Sequence, residues 1–301
     1  MVLKNKKILV TGALGFIGYK LCIRLLKEGC VVYGLGRNSP DKELPSNFYF
    51  VKSDMSDKEL LRKYISEVDL IFHLAGQTSK FRSEKEPLND FEQNSLNTIR
   101  LLDLLKDNPK KIIYPSTIAL FDGIYYPNSY IEEEIKPTTF YALSKYVSEL
   151  YLKMFFQKYK IPFTILRFSY VYGSDNFRGV LYDIIKSFRE GTEIKLFMNS
   201  KNILDFIYID DVVDALILAA ERGSGEILNI GSGKGVMVSE LVNKIASMLG
   251  VAEYKINLSE DANKEPIKLV FNSDKAKKVL GWYPKVNLGK GIKHLLGENH
   301  D

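Results

Sequence analysis

The chain has 301 residues, of which 46% are hydrophobic and 26% charged, a composition typical of a globular protein with a substantial core and one that excludes disorder and a coiled coil. Its net charge of +5 is not gathered into a basic block, so it favours small anionic ligands and argues against nucleic-acid binding. The two cysteines suggest reduced core thiols rather than a disulfide framework, and no apolar run has the length of an export signal or a membrane span. We therefore expect a cytoplasmic protein without a membrane partner.

The first part of the chain alternates short apolar segments with longer amphipathic ones. The short segments are apolar on both faces, as buried parallel strands are. The alternation predicts an α/β fold with a doubly wound parallel sheet. The predicted strands cover residues 8–11, 31–35, 48–51, 70–74, 111–114 and 163–167, and the predicted helices cover 17–28, 57–67, 87–106 and 141–159.

After about residue 172 the pattern loosens. We expect a large domain over 1–172, to which the segment 203–231 returns, and a smaller C-terminal α/β lobe made of 173–202 and 232–301. The predicted elements of this part are helices over 181–190, 210–220 and 238–249, strands over 194–196 and 227–230, and a loop over 199–202.

A glycine-rich turn, TGALGFIG, joins the first predicted strand to the first predicted helix. Gly12 allows the tight turn, Gly15 lets the backbone approach a pyrophosphate, and Gly18 allows the helix to pack closely on the strand. The start of the helix, with Phe16 and Ile17, offers unpaired N–H groups to the phosphates. Isolated glycines mark ordinary turns, but in this strand–turn–helix context they predict dinucleotide binding.

The end of the second predicted strand bears on the choice between NAD and NADP. An NAD enzyme usually carries an acid there for the ribose 2′-hydroxyl, but this chain has Gly36 followed by Arg37. A guanidinium suits a 2′-phosphate, so we expect NADP rather than NAD. The alternatives are that Arg37 is a solvated loop cation and that Asp41 is the acid.

Tyr141 and Lys145 lie four residues apart in a predicted helix and therefore share one face. A free Tyr, with a pKa of about 10, is a poor base at neutral pH. A nearby ammonium and a positive nicotinamide ring lower that pKa. The same Lys can bond the nicotinamide ribose, so both residues are also predicted cofactor contacts.

Several segments together give the chain a family resemblance. The glycine turn, the YxxxK helix and the segments DFIYIDDV, NIGSG and LGWYP resemble those of the extended short-chain dehydrogenase/reductase superfamily, specifically its NAD(P)-dependent sugar-nucleotide epimerases and dehydratases. The resemblance runs from about residue 6 to residue 295. It implies a Rossmann sheet, a nucleotide-sugar substrate and a homodimer formed through the predicted helices over 87–106 and 141–159.

The resemblance implies an adenine contact after the third predicted strand. Asp54 and Met55 match an Asp-Leu element in which the carboxylate accepts the adenine amino group. The alternative for Asp54 is the N-cap of the next helix, a position that Ser56 and Asp57 fit equally well.

The resemblance also places Leu74, Ala75 and Gly76 beneath the cofactor. We interpret the preceding His73 as a buried, hydrogen-bonded residue rather than a base, and Asn94 as a structural residue. With three histidines in the chain, we expect no metal site.

In the family pattern, the residue at Thr117 binds the substrate oxygen, and Ser116 is the alternative. Family dehydratases carry acids just after this hydroxyl, whereas this chain has Ile118 and Ala119, which cannot transfer protons. We therefore expect a 4-ketoreductase acting on C4 of a nucleotide-linked, 6-deoxy or ordinary, hexose. The alternatives are a 4-epimerase with tightly bound NAD and, from another class, a cofactor-sensing protein without catalysis.

The expected substrate contacts depart from the family pattern. Ser169 and Tyr170 lie in the segment similar to RxxNVYG, where Tyr170 replaces the family Asn, and Leu204 replaces the Arg that clamps the substrate diphosphate. We expect Arg178 and Lys201 to supply the cations instead. Lys264 is a further candidate, and each of the three is alternatively a solvated surface charge.

Overall fold

The computed structural model describes residues 3–40, 44–123, 135–174, 176, 178–258 and 265–297. Asp41 and Lys264, two of the alternatives above, lie outside these residues. No helix in the described ranges has the length and apolar character needed to cross a membrane.

The strands and helices follow the predicted alternation. In chain order, the strands are β1 (Lys7–Thr11), β2 (Val31–Gly36), β3 (Phe48–Lys52), β4 (Leu70–His73), β5 (Lys111–Thr117), β6 (Phe163–Phe168), β7 (Tyr170–Tyr172), β8 (Ile194–Leu196), β9 (Ile203–Tyr208), β10 (Glu226–Ile230), β11 (Gly235–Met237), β12 (Ile256–Leu258) and β13 (Lys268–Leu269). The helices are α1 (Phe16–Lys27), α2 (Lys58–Glu67), α3 (Lys80–Lys85), α4 (Pro87–Phe91), α5 (Asn97–Leu104), α6 (Phe140–Tyr159), α7 (Val180–Glu190), α8 (Ile209–Glu221), α9 (Val238–Leu249), α10 (Asp274–Leu280) and α11 (Leu288–Leu296). A π-helical turn (Glu92–Leu96) joins α4 to α5, and a 3₁₀ turn (Ile118–Phe121) follows β5.

Seven strands form one parallel sheet in the order β3-β2-β1-β4-β5-β6-β10. The chain builds outward from β1 to one edge and then returns beside β1 to build the other half. The change of direction between β1 and β4 opens a crevice at the carboxyl ends of these strands, where such sheets bind ligands. The α/β fold with a doubly wound parallel sheet is confirmed.

Both faces of this sheet are buried, which explains why its strands are mostly apolar on both faces. Ile8 and Val10 belong to the core cluster that includes the apolar faces of α1 and α8, whereas Leu9 belongs to the cluster on the other face with residues of α2 and α5. Alternate residues of one strand therefore pack against helices on opposite sides.

A second, smaller sheet is centred on β9, which pairs in parallel with β7 and β13 and antiparallel with β11. β8 and β12 form a further parallel pair. Of the segment 203–231, α8 packs on the large sheet and β10 forms its edge strand, but β9 lies in the second sheet. β7, near the end of 1–172, also lies in the second sheet because it pairs with β9. The division of the chain into a large domain and a smaller lobe stays a prediction.

Candidate active site

The glycine turn lies at the carboxyl end of β1, in the crevice of the large sheet. Gly12 has a φ of +68°, and a Cβ there would lie 2.8 Å from the Ala75 nitrogen. A Cβ at Gly18 would lie 2.1 Å from the Gly12 carbonyl oxygen, so β1, α1 and the end of β4 approach more closely than any side chain permits. Gly15 is the N-cap of α1 and has no side chain to cap the first turn. The first N–H groups of α1, beginning at Phe16, are thus open to a phosphate, and the crevice fits a dinucleotide.

A chain of buried hydrogen bonds fixes the floor of this crevice. The Ala75 N–H donates to the Thr11 hydroxyl at 3.0 Å, and Thr11 Oγ1 lies 2.8 Å from His73 Nδ1. On the other side of the ring, His73 Nε2 lies 3.1 Å from Thr98 Oγ1. Burial lowers the pKa of His73 to about 3, so the ring is neutral. The interpretation of His73 as a hydrogen-bonded core residue is confirmed. The backbone N–H of Leu74 donates to the Thr11 carbonyl and completes the link between β1 and β4.

The predicted adenine end of the crevice is more open. Asp57 caps α2 by accepting from the Leu60 N–H at 3.0 Å, which leaves Asp54 for another role. Asp54 is exposed, and hydrogen bonds from Ser56 hold its pKa below the usual range, with Arg100 and Arg37 adding to the effect. Beside it, Met55 is buried.

Arg37 is exposed just after β2, and its guanidinium donates to Gln93 Oε1 at 3.5 Å. Since Arg37 also acts on the charge of Asp54, the two predicted cofactor contacts lie in one neighbourhood.

Asn94 connects the crevice to α6 from the π-helical turn, a feature common at functional sites. Its Oδ1 accepts from the Gln77 N–H at 3.0 Å, and its Nδ2 donates to Asp90 and to Ser144, both at 3.1 Å. A Cβ at Gly76 would lie 2.6 Å from Asn94 Oδ1, so this position needs the glycine. Asn94 is structural, as the sequence predicts.

Thr117 and Tyr141 meet at the carboxyl end of β5. The Thr117 hydroxyl accepts from the Ala119 N–H at 3.1 Å, which turns the chain into the 3₁₀ segment. Burial raises the pKa of Tyr141, and a hydrogen bond from the Thr117 side chain opposes that effect by stabilising the phenolate. Ser116, the alternative to Thr117, is buried, and its hydroxyl has no hydrogen-bond partner among the described residues.

Lys145 lies one turn after Tyr141 on α6 and is buried. Its ammonium is 3.9 Å from the centre of the Tyr114 ring, within cation–π distance. Burial lowers the pKa of Lys145 to about 7, although Glu149 and Asp90 act in the opposite direction.

Glu149 continues the same face of α6 and forms a buried ion pair that sequence reasoning missed. Arg167 of β6 donates to both of its carboxylate oxygens, at 2.9 and 2.6 Å. The glutamate side chain is fully buried, and the arginine is 7% exposed. The four-residue spacing of Tyr141, Lys145 and Glu149 is the signal that identifies this face as polar and inward-facing.

A cavity of about 480 Å³ lies beside β7 and α7. It is lined by Tyr170 and Arg178, two predicted substrate contacts, and by two cations that the sequence analysis missed, Lys186 and Arg189. Lys201 does not line this cavity; it is exposed, and its N–H donates to the Asn199 side chain.

Ser169 and Leu204 are buried and do not line the cavity. The Ser169 N–H donates to the carbonyl of Ile230, and the hydroxyl lacks a partner among the described residues. Leu204, at the position of the family Arg, is fully buried in the core. Position 204 therefore offers no cation to a diphosphate.

The remaining sequence motifs hold the smaller sheet together. Asp205 accepts hydrogen bonds from the backbone of Ser232 at 2.9 Å and of Phe271 at 3.2 Å. The indole of Trp282 donates to the Asp211 carbonyl at 2.8 Å. The DFIYIDDV, NIGSG and LGWYP segments thus bind one another.

A doubly wound sheet with a glycine crevice beside a Tyr–Lys helix defines a class of dinucleotide-dependent α/β enzymes. Residues 8–231 match the model of the NAD dependent epimerase/dehydratase family. The chain belongs to this family of NAD-dependent sugar-nucleotide enzymes.

Two UDP-glucose 4-epimerases are similar to this chain over nearly its whole length. The UDP-glucose 4-epimerase of Mycolicibacterium smegmatis is 32% identical over 94% of this chain and 95% of its own. The structure of the Thermotoga maritima UDP-glucose 4-epimerase with UDP-glucose superposes with a TM-score of 0.87 at 30% identity, covering 97% of this chain and 98% of that one.

A third relative acts on an acidic sugar. The UDP-glucuronic acid 4-epimerase of Bacillus cereus, in complex with UDP-glucuronic acid and NAD, superposes with a TM-score of 0.88 at 26% identity, covering 97% of this chain and 98% of that one.

Proposed function

We propose that the protein is a nucleotide-sugar 4-epimerase that uses NAD. The observation that carries the proposal is that the Thr117 side chain acts on the Tyr141 phenol, whose pKa it lowers against the effect of burial, at the end of β5 and one helical turn from Lys145. Ile118 and Ala119, which follow Thr117, have no acid for water elimination. The three relatives named above are 4-epimerases, which favours this alternative over the expected 4-ketoreductase.

The proton steps follow from the positions of these side chains. The chemistry that NAD would supply when bound is the removal of a hydride from C4 of the sugar and its return to the opposite face of that carbon, which inverts C4. The Tyr141 phenolate accepts the proton of the C4 hydroxyl and gives it back when the hydroxyl re-forms. When the sugar is bound, the single hydroxyl proton of Thr117 would turn from Tyr141 to the C4 oxygen and hold that oxygen beside the phenol. Lys145 contributes the positive charge of this helix face.

The two halves of the substrate would lie on either side of Tyr170. The sugar would contact Thr117 and Tyr141, while the nucleotide diphosphate would occupy the cavity lined by Arg178. Arg178 would then replace the charge that Leu204 lacks, because a guanidinium binds phosphate oxygens in pairs.

The resident cofactor is proposed to be NAD, since an epimerase returns the hydride to the same sugar and shows no net redox. The NAD-bound structure of the Bacillus cereus relative supports this assignment. The expectation of NADP depends on Arg37, and the substitution of this residue described in the Discussion tests it directly.

A turnover assay separates the proposed activity from its alternatives. The purified protein is incubated with NAD and UDP-glucose, or UDP-glucuronic acid, and products are followed by NMR. Interconversion of C4 epimers without a change in NADH absorbance supports the epimerase. Stoichiometric oxidation of NADPH by a 4-keto nucleotide sugar would instead establish the ketoreductase.

The variant Tyr141→Phe serves as the control for catalysis. It should lower kcat by about 10²–10⁴-fold, because it removes the proton-transfer group, and leave NAD affinity nearly unchanged. Equal turnover by this variant would contradict the mechanism, and absence of any turnover by the wild type on all these sugars would favour the cofactor-sensing alternative.

The assembly is proposed to be a homodimer through α4 and α6, which pack on each other. α6 buries one face in the core and exposes a second apolar stripe, which a monomer would leave in water. Light scattering should give twice the chain mass, and Met154→Glu should reduce it. The exposed apolar residues of the two helices are Leu88, Phe91, Phe140, Leu143, Leu150, Tyr151, Met154, Phe156 and Tyr159.

A further inference from the structure

Beside the predicted catalytic residues lies a second lysine. Lys80, the first residue of α3, is half-buried, and its ammonium is 2.7 Å from Asp122 Oδ2. The Asp122 side chain is 6% exposed, and its other oxygen accepts from the Thr138 N–H at 3.1 Å and the Thr138 hydroxyl at 2.8 Å. One oxygen of this aspartate thus pairs with Lys80, while Thr138 fixes the orientation of the carboxylate through the other oxygen.

The elements that carry this ion pair are those that carry Thr117 and Tyr141. Asp122 directly follows the 3₁₀ turn that Thr117 begins, and Thr138 directly precedes Thr139, the N-cap of α6. A second link joins α3 to the same helix, because the Phe140 N–H donates to Glu84 Oε1 at 3.0 Å. Lys80 is therefore held in place by contacts with the two elements that carry the reacting hydroxyls, the 3₁₀ turn after Thr117 and the start of α6.

The charge of Lys80 acts on two phenols of the site. Burial by itself lowers the pKa of Lys80, but Tyr170, Asp122 and Tyr141 raise it above the ordinary value, so the side chain is an ammonium at neutral pH. In return, the ammonium lowers the pKa of Tyr141 and of Tyr170, in both of which burial acts the other way.

We propose that Lys80, held by Asp122, is a positioning residue that stabilises the phenolate of Tyr141 and so keeps it ready to accept a proton. The inference deepens the proposed function, on which its role in turnover rests. Lys145 alone does not supply this charge fully at neutral pH, because burial disfavours its ammonium and lowers its pKa to about 7. The charged and titratable groups that face Tyr141 are Lys80 on α3, Asp90 on α4, Tyr114 on β5 and Lys145 on α6.

The test measures the Tyr141 phenol directly. Protein with ¹³Cζ-labelled tyrosine, loaded with NAD and without sugar, is titrated by NMR, and Tyr141→Phe assigns the signal. In Lys80→Met the Tyr141 titration should move to higher pH by about one unit, since a stabilising cation has been removed. Lys80→Arg, which keeps the charge, should titrate close to the wild type.

Lys80→Gln repeats the measurement with a polar side chain, in case the Met variant does not fold. Lys85→Met removes a charge from the same helix, where the ammonium lies over the Phe81 ring instead, and should leave the titration unchanged. An unmoved Tyr141 titration in the Met or Gln variant would overturn the inference, whatever happens to activity.

Turnover separates this inference from the proposed function. The acid-side limb of the kcat/KM profile should move to higher pH with the NMR titration in Lys80→Met and Lys80→Gln. A loss of kcat with an unmoved limb would show a merely structural role and overturn the inference. If the NMR shift occurs in a protein that turns over no nucleotide sugar, the action of Lys80 on Tyr141 stands and the proposed function fails.

Discussion

The crevice of the large sheet is shaped by backbone atoms, whereas the cavity beside β7 and α7 is shaped by side chains. In the crevice, backbone atoms approach so closely that Gly12 and Gly18 have no room for a Cβ. In the cavity, the shape and charge come from the side chains of Tyr170, Arg178 and Arg189. A site shaped by the backbone requires particular residues at a fixed spacing, and these form a short sequence motif. A site lined by side chains can exchange those residues while the fold stays the same.

The largest expected effect comes from restoring the family cation in the second, smaller sheet. Leu204→Arg places a guanidinium in the fully buried centre of β9, between β11 and β13, without a counter-charge. We expect a loss of about 3–5 kcal/mol in the free energy of unfolding. Urea unfolding measures this loss, and Leu204→Met, expected to cost less than about 1.5 kcal/mol, is the control. Equal stability of the two variants would mean that the lobe still accommodates the family Arg.

A smaller effect is expected from a methyl group in the crevice. Gly18→Ala puts a Cβ 2.1 Å from the Gly12 carbonyl oxygen, so α1 must move away from the turn. NAD affinity, measured by calorimetry, should fall by about tenfold or about 1.4 kcal/mol. At Gly15 the same methyl would lie 3.2 Å from that oxygen, so Gly15→Ala should bind more tightly than Gly18→Ala. The reverse order would contradict a backbone-built crevice.

The buried Lys145 should give the stability a pH dependence. The pKa of Lys145 is about 7 in the folded chain and 10.5 for a free lysine side chain, so the folded state binds fewer protons between these values. Its contribution therefore makes the protein more stable as the pH rises from 7 towards 10.5, with a slope of at most about 1.4 kcal/mol per pH unit. Lys145→Met should lack this slope.

Thermal or urea unfolding at several pH values measures the difference between the two proteins. Lys111, whose burial lowers its pKa to about 8, titrates in the same window but is present in both, so it cancels. If the free energy of unfolding depended on pH in the same way in the wild type and in Lys145→Met, the pKa of Lys145 would not be lowered in the folded chain.

The smallest effect is expected at the open end of the crevice. Arg37→Asp should change the ratio of the NADP and NAD affinities in favour of NAD by up to about fivefold, because an interaction between exposed charges contributes at most about 1 kcal/mol. The ratio of the two dissociation constants measures this preference. Arg100→Gln, which removes the other cation near Asp54, should leave the ratio nearly unchanged. An unchanged ratio in Arg37→Asp would remove the basis for expecting NADP.

Sequence reasoning could predict the large sheet because buried parallel strands and glycine turns have local signatures. β9 was missed as a strand because its residues form part of a longer motif, DFIYIDDV, that runs directly into α8. The two-residue β13 and the three-residue β7 are too short to carry a period of their own.

The sequence likewise predicts those parts of the candidate site that lie in recognisable motifs. Thr117 and Tyr141 could be paired because the family resemblance names both. The ion pairs of Lys80 with Asp122 and of Arg167 with Glu149 join residues far apart in the chain, and no local pattern links their members. Only the three-dimensional arrangement brings such partners together.

The position of β10 has a consequence for the synthesis of the protein. β6 is complete at Phe168, but the strand that covers its outer edge begins at Glu226, after α7, β9 and α8 have been made. A nascent chain on the ribosome therefore presents a strand that is buried in the folded protein, with unpaired N–H and C=O groups along one edge, throughout that interval. This stretch of translation is when the polypeptide is most open to association with a neighbouring nascent copy and most in need of a chaperone.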